Sequence, residues 1–471
     1  MKILLIIPST QTLFSCGTPE LYKKLNIGFY PALGSLYLAS YLREFSSHKV
    51  EILDIAVEGI GTEDLQKRIM NGSYQAVGIF ATSFTINVVS KISKIVKEIN
   101  PEINVIIGGP HVDIFPEETA SLNGVDFVVL GEGEITLTEL LNCIENKGNP
   151  EEIKGLVFKK EDKIIFSEKR PLIDNLNELP FPARDLTDYK KYHSLIGKSK
   201  VSTTLMTSRG CSFRCNFCFI QYGGKYRMRS AENVVKEIKQ CVALGINEIF
   251  FFDELFTVKK SRVMDICNEI INNKLDIIFD IRSRVDTIDE EMLLKLKEAG
   301  CARIQYGVES GDPDILLAMN KRITIEQIRK AIKLTKKAGI DVFLDFMLGY
   351  PGETIEQMNR TIKFAIELNP DYLQFGITVL LPSTTIYQEA LKNKFLKNDF
   401  WRELAKDPPE TIIPPIASEK YSRDELEKIL EKAYSKFYFR PRYLLKKLFK
   451  IRSFTQLARQ LKAGFHLAFS K

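Results

Sequence analysis

Three cysteines lie within eight positions near the middle of this 471-residue chain. Cys211, Cys215 and Cys218 occupy the stretch RGCSFRCNFCF (residues 209–219), and the whole chain holds only eight cysteines. Thiolates are the preferred ligands of soft metals and iron–sulfur clusters. This local concentration of a scarce residue therefore predicts a metal or cluster site.

The spacing C-x3-C-x2-C separates the kinds of site that three thiols could form. A structural zinc needs a fourth ligand, yet the nearest candidates, His193 and Cys241, are more than fifteen residues away. A redox C-x-x-C would need a thioredoxin-like context, which is missing. Three thiols buried without a function remain the plainest alternative. A four-iron cluster on three thiolates accounts for the odd number, because it leaves one iron open to an outside ligand.

The elements around the cysteines alternate between apolar strand-like runs and amphipathic helical patterns. The strand candidates recur at roughly 30-residue spacing, and helical patterns such as 231–244 and 354–368 separate them. Six such units predict a partial barrel with its active site at the carboxyl ends of the strands. The cysteines directly follow the first of these strands. The six strand candidates are 202–208, 248–253, 277–283, 303–309, 341–349 and 372–380.

The first 150 residues also alternate, and they predict a parallel, doubly wound sheet. In such sheets ligands bind beyond the carboxyl ends of the strands. Two helical patterns, 32–45 and 86–99, separate the apolar runs, which are 2–8, 49–55, 75–81, 103–109 and 126–130. Four strand ends are candidate binding segments: 8–10, 81–83, 108–111 and 131–134.

A hairpin and a linker separate the two predicted domains. Residues 155–168 predict the hairpin, and Pro180 and Pro182 predict an extended linker.

Hydropathy and charge indicate where the protein works in the cell. The apolar run that ends at Pro8 is too short for a signal peptide, and no window of ~18 apolar residues indicates a membrane span. Residues 432–471 carry eleven Lys and Arg and no Asp or Glu, which leaves the rest of the chain slightly acidic. We therefore expect a cytoplasmic protein with a basic tail.

The cysteine motif, the aromatic Phe217 before its last cysteine and the six-unit barrel resemble the radical S-adenosylmethionine superfamily. The resemblance implies that the amino and carboxylate groups of S-adenosylmethionine chelate the open iron, and that the reduced cluster yields a 5′-deoxyadenosyl radical. It assigns no catalytic residue beyond the cluster ligands. Other strand ends resemble family segments too. They are FFFDELFT (250–257) for the methionine amino group, GVESG (307–311) for the ribose, LGYPGET (348–354) for the adenosyl group and LLPSTTIY (380–387) near adenine.

These segments imply the S-adenosylmethionine-binding residues. They are Phe217, Asp253, Glu254, Glu309, Gly349 and Gly352. Arg282 and Arg284, at the third strand end, are equally consistent with a carboxylate partner and with a solvated face.

The first domain resembles the cobalamin-binding domain that is fused to a subset of these enzymes. A dinucleotide is the competing ligand, but no G-x-G-x-x-G opens the first helix and the acidic GEGE would repel phosphate. The family's axial histidine is missing from the loop at 9–24, so cobalt would have an open or water-bound lower face, and loss of cobalamin binding stays an alternative. The cobalamin-binding residues that the resemblance implies are Ser83, Gly108, Gly109, Pro110, His111, Gly131, Glu132 and Gly133.

The sequence thus predicts an α/β protein with a doubly wound, Rossmann-like cobalamin-binding domain, a partial (βα)6 radical S-adenosylmethionine barrel and a helical C-terminal tail. The predicted divisions are 1–150, a linker with a hairpin at 151–200, the barrel at 201–415 and a basic region at 416–471. The nearest branch contains anaerobic magnesium-protoporphyrin monomethyl ester cyclase, hopanoid-modifying enzymes and cobalamin-dependent methylases.

The expected activity is methyl transfer to an unactivated carbon of a small or lipid-like substrate. Radical cyclisation or C–C bond formation is the first alternative. An RNA methylthiotransferase is the second, although it would usually have additional cluster cysteines in the first domain, where this chain has only Cys16 and Cys143. A non-enzymatic sensor of cobalamin or redox state is the last alternative. Such a protein would not need the family-like segments at the ends of the barrel strands.

The expected cofactors are a 4Fe–4S cluster, S-adenosylmethionine and cobalamin. The expected electron donor is an external flavodoxin or ferredoxin, and no nucleic-acid partner is expected. The tail interleaves its cations with an apolar set, which suits a membrane surface as well as packing on the barrel. That set is Phe437, Leu444, Leu445, Leu448 and Phe449.

Overall fold

Two parallel sheets follow one another along the chain in the computed structural model. The structure describes residues 1–8, 28–194, 196–219, 224–441 and 443–445. The predicted histidine-free loop at 9–24 and the tail residues Leu448 and Phe449 lie outside these ranges. The sequence predicted both sheets and their order.

The strands of the first half are close to those that the apolar runs predicted. They are β1 Lys2–Ile7, β2 Gly28–Phe29, β3 Lys49–Asp54, β4 Ala76–Phe80, β5 Asn104–Gly108, β6 Phe127–Val129, β7 Leu156–Lys160 and β8 Lys163–Phe166. All except β2 form one sheet in the order β3-β1-β4-β5-β6-β7-β8. The pairs from β3 to β6 are parallel, whereas β6–β7 and β7–β8 are antiparallel.

Helices cover both faces of this sheet. They are α1 Leu33–Phe45, α2 Ile55–Glu58, α3 Thr62–Gly72, α4 Ile86–Ile99, α5 Pro116–Ala120 and α6 Gly133–Glu145. Strand β1 shows why the sheet is doubly wound, because its alternate side chains enter two different cores. Leu4 and Ile6 pack in the core that includes residues of α3 and α4, and Leu5 packs with residues of α1 and α6. Burial on both faces explains the unbroken apolar runs.

The hairpin of β7 and β8 belongs to the first sheet, although the sequence placed it in a linker. Leu156, Val157 and Phe158 are buried, and β7 pairs with β6 through Phe127 and Phe158. A hairpin pattern in the sequence predicts only its own two strands and their turn. It does not predict the strand beside which the hairpin packs, because that strand, β6, lies about thirty residues earlier. The sheet is therefore two strands wider than predicted.

A connecting segment and six parallel strands follow. The segment contains short 3-10 turns at Leu176–Glu178, Arg184–Leu186 and Tyr189–Lys191, and another such turn, Pro150–Glu152, precedes β7. The strands of this half are β9 His193–Ser194, β10 Thr203–Leu205, β11 Ser208–Arg209, β12 Arg227–Met228, β13 Glu248–Phe251, β14 Ile278–Ser283, β15 Cys301–Glu309, β16 Asp341–Leu348 and β17 Tyr372–Ile377. Of these, β9 pairs with β2 and β11 pairs with β12, both antiparallel. The second sheet has the order β10-β13-β14-β15-β16-β17, with every pair parallel. This is the predicted partial barrel.

Helices alternate with these strands and continue beyond them. They are α7 Ala231–Ala243, α8 Lys260–Asn272, α9 Glu290–Glu298, α10 Pro313–Ala318, α11 Ile325–Lys337, α12 Ile355–Leu368, α13 Thr385–Lys392, α14 Phe400–Lys406 and α15 Arg423–Tyr438. Among the described helices, none combines the length and the apolar character needed to cross a bilayer.

Helix α15 packs on the last barrel strand. Tyr434 and Phe437 are buried in the barrel core, and the Tyr438 hydroxyl donates to the Leu373 carbonyl at 2.7 Å. Phe437 therefore does not share an exposed face with Leu444 and Leu445, which are 45% and 56% exposed. Helix α15 therefore covers part of the barrel sheet, and the chain as far as Tyr438 is not a free tail.

Candidate active site

The cysteine loop follows β11 and turns sharply at Gly210. Gly210 has φ +90, and a Cβ there would lie 2.2 Å from the Lys225 carbonyl oxygen, so only glycine fits. Cys211 is half-buried, Cys215 is buried and Cys218 is exposed. No three His, Cys, Asp or Glu side chains in the described ranges surround a point suited to a single metal ion. The three thiols lie on one loop, and those of Cys215 and Cys218 are within hydrogen-bonding reach of each other.

Cationic groups surround the buried thiol. Arg284 Nη1 lies 3.9 Å from Cys215 Sγ. The Cys218 thiol, through a hydrogen bond, and the charges of Lys321 and Arg284 lower the pKa of Cys215 to about 6, although burial opposes them. The same hydrogen bond and burial raise the pKa of Cys218. This environment favours the thiolate at Cys215, and the thiolate is the form that binds iron.

Arg284 holds the cysteine loop against the barrel. Its guanidinium stacks on the Phe213 ring at 3.9 Å, is paired with Asp286 and donates to the Lys321 carbonyl at 2.6 Å. Of the two alternatives left by the sequence, Arg284 follows the first, because its carboxylate partner is Asp286 and its side chain is buried. It is a positioning residue for the loop.

Glu309 lies at the end of β15 beside a lysine that sequence reasoning missed. Lys321 Nζ donates to Glu309 Oε1 at 2.8 Å, and the same ammonium lies 5.6 Å from the centre of the Phe217 ring. Glu309 has φ +70, a conformation that non-glycine residues adopt at strain. The contacts bring Glu309 and Phe217, both predicted ligands, to the same place. Lys321 carries no motif of its own, so no sequence signal pointed to it.

The neighbouring acids Asp253 and Glu254 have different environments. Asp253 is fully buried and accepts hydrogen bonds from the Thr207 amide at 2.6 Å and the Ser208 hydroxyl at 2.7 Å, with Arg262 3.4 Å away. Glu254 is exposed. Asp253 is therefore occupied in holding the segment before the cysteines, and Glu254 is the accessible acid of the pair.

The glycine-rich loop after β16 is held by an acid, Glu353, that the sequence did not predict as a site residue. Glu353 Oε2 accepts from the amides of Gly349 at 2.7 Å and Tyr350 at 3.1 Å, while its Oε1 is buried without a hydrogen-bond partner in the described structure. Burial raises the pKa of Glu353 to about 7. A Cβ at Gly349 would meet Leu426 at 2.8 Å, whereas the space beside Gly352 is open. Gly352 is therefore the more accessible of the two predicted glycines.

His111 is buried at the edge of the first sheet. Its Nδ1 shares a hydrogen bond of 3.0 Å with Ser83 Oγ, and its Nε2 is buried without a partner in the described residues. Burial lowers the pKa of His111 to about 3, so the ring is neutral. Gly108 ends β5, and Gly109 and Pro110 precede His111 in the loop.

The space at this edge suits a bulky ligand. A Cβ at Gly131 would meet no atom within 4 Å, and its amide is held by Asp113 at 2.7 Å. Together with the unpartnered Nε2 of His111, this open strand end fits the predicted cobalamin. No ligating nitrogen other than His111 lies among the predicted residues of the edge.

The acidic loop after β6 has a use that the sequence did not predict. Arg209 Nη1 is 2.5 Å from Glu132 and its Nη2 is 2.6 Å from Glu134, while Arg227 Nη1 is 2.7 Å from Glu132. All four side chains are buried. Burial alone would raise the pKa of Glu132, but the hydrogen bonds and charges of Arg227 and Arg209 lower it below its usual value. The carboxylate that was predicted to bind cobalamin therefore joins the two domains.

Further contacts bring the two carboxyl edges face to face. Phe84, after β4, lies edge-on to Trp401 at 5.4 Å, and Trp401 donates to the carbonyl of Leu380, after β17, at 2.7 Å. Asn87 donates to the Glu410 carbonyl at 2.8 Å. A ligand on the first edge would therefore face the cysteine loop.

Comparisons with known proteins agree with this arrangement. A family model described as the radical SAM superfamily matches residues 205–365, and one described as a B12 binding domain matches residues 28–141. An uncharacterized methyltransferase of Pyrococcus horikoshii is 37% identical over 96% of this chain and 96% of its own. The anaerobic magnesium-protoporphyrin IX monomethyl ester cyclase of Rubrivivax gelatinosus is 26% identical over 94% of this chain and 78% of its own.

One solved structure has the same fold over nearly the whole chain. It is the cobalamin-dependent S-adenosylmethionine radical enzyme OxsB with aqua-cobalamin bound. The TM-score is 0.73, the identity is 18%, and the match covers 99% of this chain and 72% of that chain.

Proposed function

Because this chain belongs to the radical S-adenosylmethionine superfamily and carries a B12-binding domain, we propose that it methylates an unactivated carbon of a small or lipid-like substrate. The domains imply a 4Fe–4S cluster, S-adenosylmethionine and cobalamin as cofactors. When bound, these groups supply reductive cleavage of S-adenosylmethionine, hydrogen removal from the substrate and a transferable methyl group. The full-length relative of Pyrococcus horikoshii, described as a methyltransferase, supports this reaction.

The site residues then have the following proposed roles. Cys211, Cys215 and Cys218 hold the cluster, and Arg284 holds their loop in place. Glu254 is the acid available to the amino group of S-adenosylmethionine, Glu309 binds the ribose, and Phe217, Gly349 and Gly352 line the cofactor. Ser83, Gly108, Gly109, Pro110, His111, Gly131 and Gly133 border the cobalamin, with Glu132 and Asp253 positioning their loops. We retain the division at 1–150, 151–200, 201–415 and 416–471 as part of this proposal, with the β7–β8 hairpin added to the first sheet.

One observation carries the proposal: the cysteine loop and the first-domain edge are tied together directly. Arg209 stands two residues before Cys211, and its guanidinium is bound by the Glu132 and Glu134 carboxylates of the first domain. Methylation by two cofactors requires the methyl donor and the activated carbon to meet at short range without water. Buried ion pairs between the two edges provide a fixed distance and exclude solvent there.

The first experiment compares cluster content in anaerobically purified variants. The chain with Cys211, Cys215 and Cys218 all replaced by Ala should lose iron, sulfide and reductive cleavage of S-adenosylmethionine to 5′-deoxyadenosine. Cys143→Ala, which removes a half-buried thiol in α6, is the matched control and should retain all three. Wild-type iron and sulfide in the triple variant would overturn the cluster assignment.

The second experiment separates methylation from its alternatives. The reduced enzyme is incubated with S-adenosylmethionine carrying a deuterated methyl group and with a lipid and tetrapyrrole extract, and in a parallel reaction with total RNA. Methylation should place the labelled methyl in a small molecule and release S-adenosylhomocysteine. Cyclisation, as in the relative of Rubrivivax gelatinosus, would yield 5′-deoxyadenosine without labelled product, and label in RNA would indicate methylthiotransfer. Either result would contradict the methylation proposal.

Two partners complete the proposal. An external flavodoxin or ferredoxin in a reducing cytoplasm supplies the electron.

The second partner is an anionic membrane surface, to which the basic residues from 432 onward bind the enzyme at low salt. Leu444 and Leu445 are exposed apolar residues in the part of this region that the truncation below removes. A chain truncated after Phe439 should fail to sediment with phosphatidylserine vesicles that retain the full chain. Equal sedimentation of both chains would remove the membrane from the proposal.

A further inference from the structure

The barrel interior is open at mid-depth, unlike a closed barrel filled by its own side chains. Side chains alternate along each strand, and those that face outward pack under the helices. Phe251, Ile281 and Phe375 are examples, each 0% exposed. Their inward-facing neighbours remain accessible, because Phe252 is 43% exposed and Gln374 is exposed. The interior is therefore a chamber below the cysteine loop.

Arg282 faces this chamber without a countercharge in contact. Its guanidinium lies 4.5 Å from the centre of the Phe252 ring and 5.1 Å from that of Phe250. It makes no hydrogen bond or ion pair with any residue in the described ranges, whereas Arg303 below it is paired with Asp280, and Arg284 above it with Asp286. Burial lowers the pKa of Arg282, although a guanidinium stays charged in proteins. Removing a cation from water without giving it a counter-ion costs free energy, and binding an anion would offset that cost.

The opposite wall does not supply that anion. Gln305 Nε2 donates to Asp345 Oδ2 at 2.8 Å, which occupies one carboxylate oxygen. Burial and the nearby charge of Glu309 raise the pKa of Asp345 to about 7, so at neutral pH much of it is uncharged. Asp345 and Glu254 attract the Arg282 guanidinium only through space, without a contact, so its N–H groups remain available to a ligand.

The position of Arg282 relates it to the chemistry above. Arg284 is two residues further along and reaches Cys215 at 3.9 Å. Two residues of strand span roughly 6–7 Å, so Arg282 lies about one layer of side chains deeper. A molecule bound by one end at Arg282 would extend past Phe250 and Phe252 toward the cysteine loop.

We propose that Arg282 binds a carboxylate of the substrate, and that an apolar or aromatic part of the same molecule lies against Phe250 and Phe252. This inference rests on the proposed function and names the substrate class within it. One guanidinium matches a carboxylate through two parallel hydrogen bonds. A phosphate would be expected to recruit several donors, and the neighbouring cations Arg303, Arg284 and Lys321 are each already paired with a carboxylate.

The test uses anaerobic holoenzyme saturated with S-adenosylmethionine, so that the cofactor's own carboxylate site is filled. The probes are 2-naphthylacetate and its neutral analogue 2-naphthylacetamide, titrated by calorimetry. The wild type should bind the carboxylate about tenfold or more tightly than the amide. Arg282→Gln should abolish that preference, and Arg282→Lys, which keeps charge but not the fork, should retain part of it. Arg329→Gln, which removes an exposed arginine paired with Glu367 on the barrel surface, is the matched control and should behave as the wild type.

Equal affinity of the wild type for the two probes, or no measurable binding of either, would overturn the inference. A preference that survives in Arg282→Gln would also overturn it. Weaker binding of S-adenosylmethionine to Arg282→Gln, in parallel with the loss for naphthylacetate, would assign Arg282 to the cofactor and reject the substrate role. Iron content and 5′-deoxyadenosine formation in the same wild-type preparation test the proposed function separately, because naphthylacetate binding depends on neither.

Discussion

The first domain and the barrel both end their parallel strands in loops that carry charged side chains, and the two sets are used differently. At the first edge, Glu132 and Glu134 are buried and are bound by arginines of the other domain. In the barrel, Glu254 is exposed, and Arg282, near the end of β14, contacts Phe250 and Phe252 but no carboxylate among the described residues. The first edge therefore offers a ligand mainly backbone and shape, whereas the barrel offers charged groups.

The difference follows from what each edge must bind and hold. Removing a partnered buried charge leaves its partner desolvated and unpaired, so such groups contribute to structure. An accessible unpartnered charge contributes little to folding and gains its interaction only when a ligand binds. Variants of the first set should change stability, and variants of the second set should change affinity.

Glu132→Gln should have the largest effect. It removes the charge that Arg209 and Arg227 share, and breaking a buried pair costs about 3–5 kcal/mol of unfolding free energy. Urea denaturation of the ligand-free protein measures this loss. Glu139→Gln is the control, because Glu139 is a half-exposed partner of Arg170 and should lose no more than about 1 kcal/mol. Similar losses of unfolding free energy in the two variants would contradict the structural role of the buried charges at the first edge.

Glu309→Gln should weaken binding of S-adenosylmethionine by about 1–3 kcal/mol, or roughly 5- to 150-fold, through loss of charged hydrogen bonds to the ribose. Lys321 then lacks its partner, so some stability is lost as well. Equilibrium binding to cluster-loaded protein measures the affinity, with iron content as the check on the cluster. Unchanged affinity would remove Glu309 from the cofactor site.

His111 should make stability fall with acid. The unfolded chain binds a proton on this ring below about pH 6.5, but the buried ring resists protonation until about pH 3. Stability from this group is complete above pH 6.5 and is lost as the pH falls toward 3, by up to about 1.4 kcal/mol per unit. Denaturation of His111→Gln between pH 7.5 and pH 4 should show a shallower slope than the wild type, with His193→Gln as the control.

The same variant tests cobalamin binding at the first edge. Reconstituted with cobalamin, His111→Gln should keep the absorption spectrum of a cobalt without a protein nitrogen ligand. Parallel stability slopes would contradict the buried neutral ring. A nitrogen-ligated wild-type spectrum that the variant loses would assign His111 to cobalt.

Glu254→Gln should have the smallest effect, a loss of about 1 kcal/mol in affinity for S-adenosylmethionine with stability unchanged. Asp253→Asn is its neighbour and its contrast, since it disturbs the buried hydrogen bonds from Thr207 and Ser208. Asp253→Asn should lower the denaturation midpoint. A result in which Asp253→Asn lowers only affinity, or Glu254→Gln lowers only stability, would exchange their roles.

Local patterns in the sequence were sufficient to predict much of the fold and part of the candidate site. The spacing of Cys211, Cys215 and Cys218, the strand runs and the helical periods each depend on residues close together in the chain, because side-chain direction repeats every two or 3.6 residues. These patterns predicted both sheets, the partial barrel and the position of the cysteine loop at a strand end.

Other features were decided by the tertiary structure alone. The pairing of Arg209 with Glu132 spans 77 positions, and the edge that accepts the β7–β8 hairpin is likewise set by a distant strand. Asp253 and Glu254 are adjacent acids, and only the fold buries the first and exposes the second. Lys321 reaches Glu309 across a helix, without a motif. Contacts between distant residues leave no periodic trace in a single sequence, because their energy depends on burial and geometry that exist only after the chain has folded.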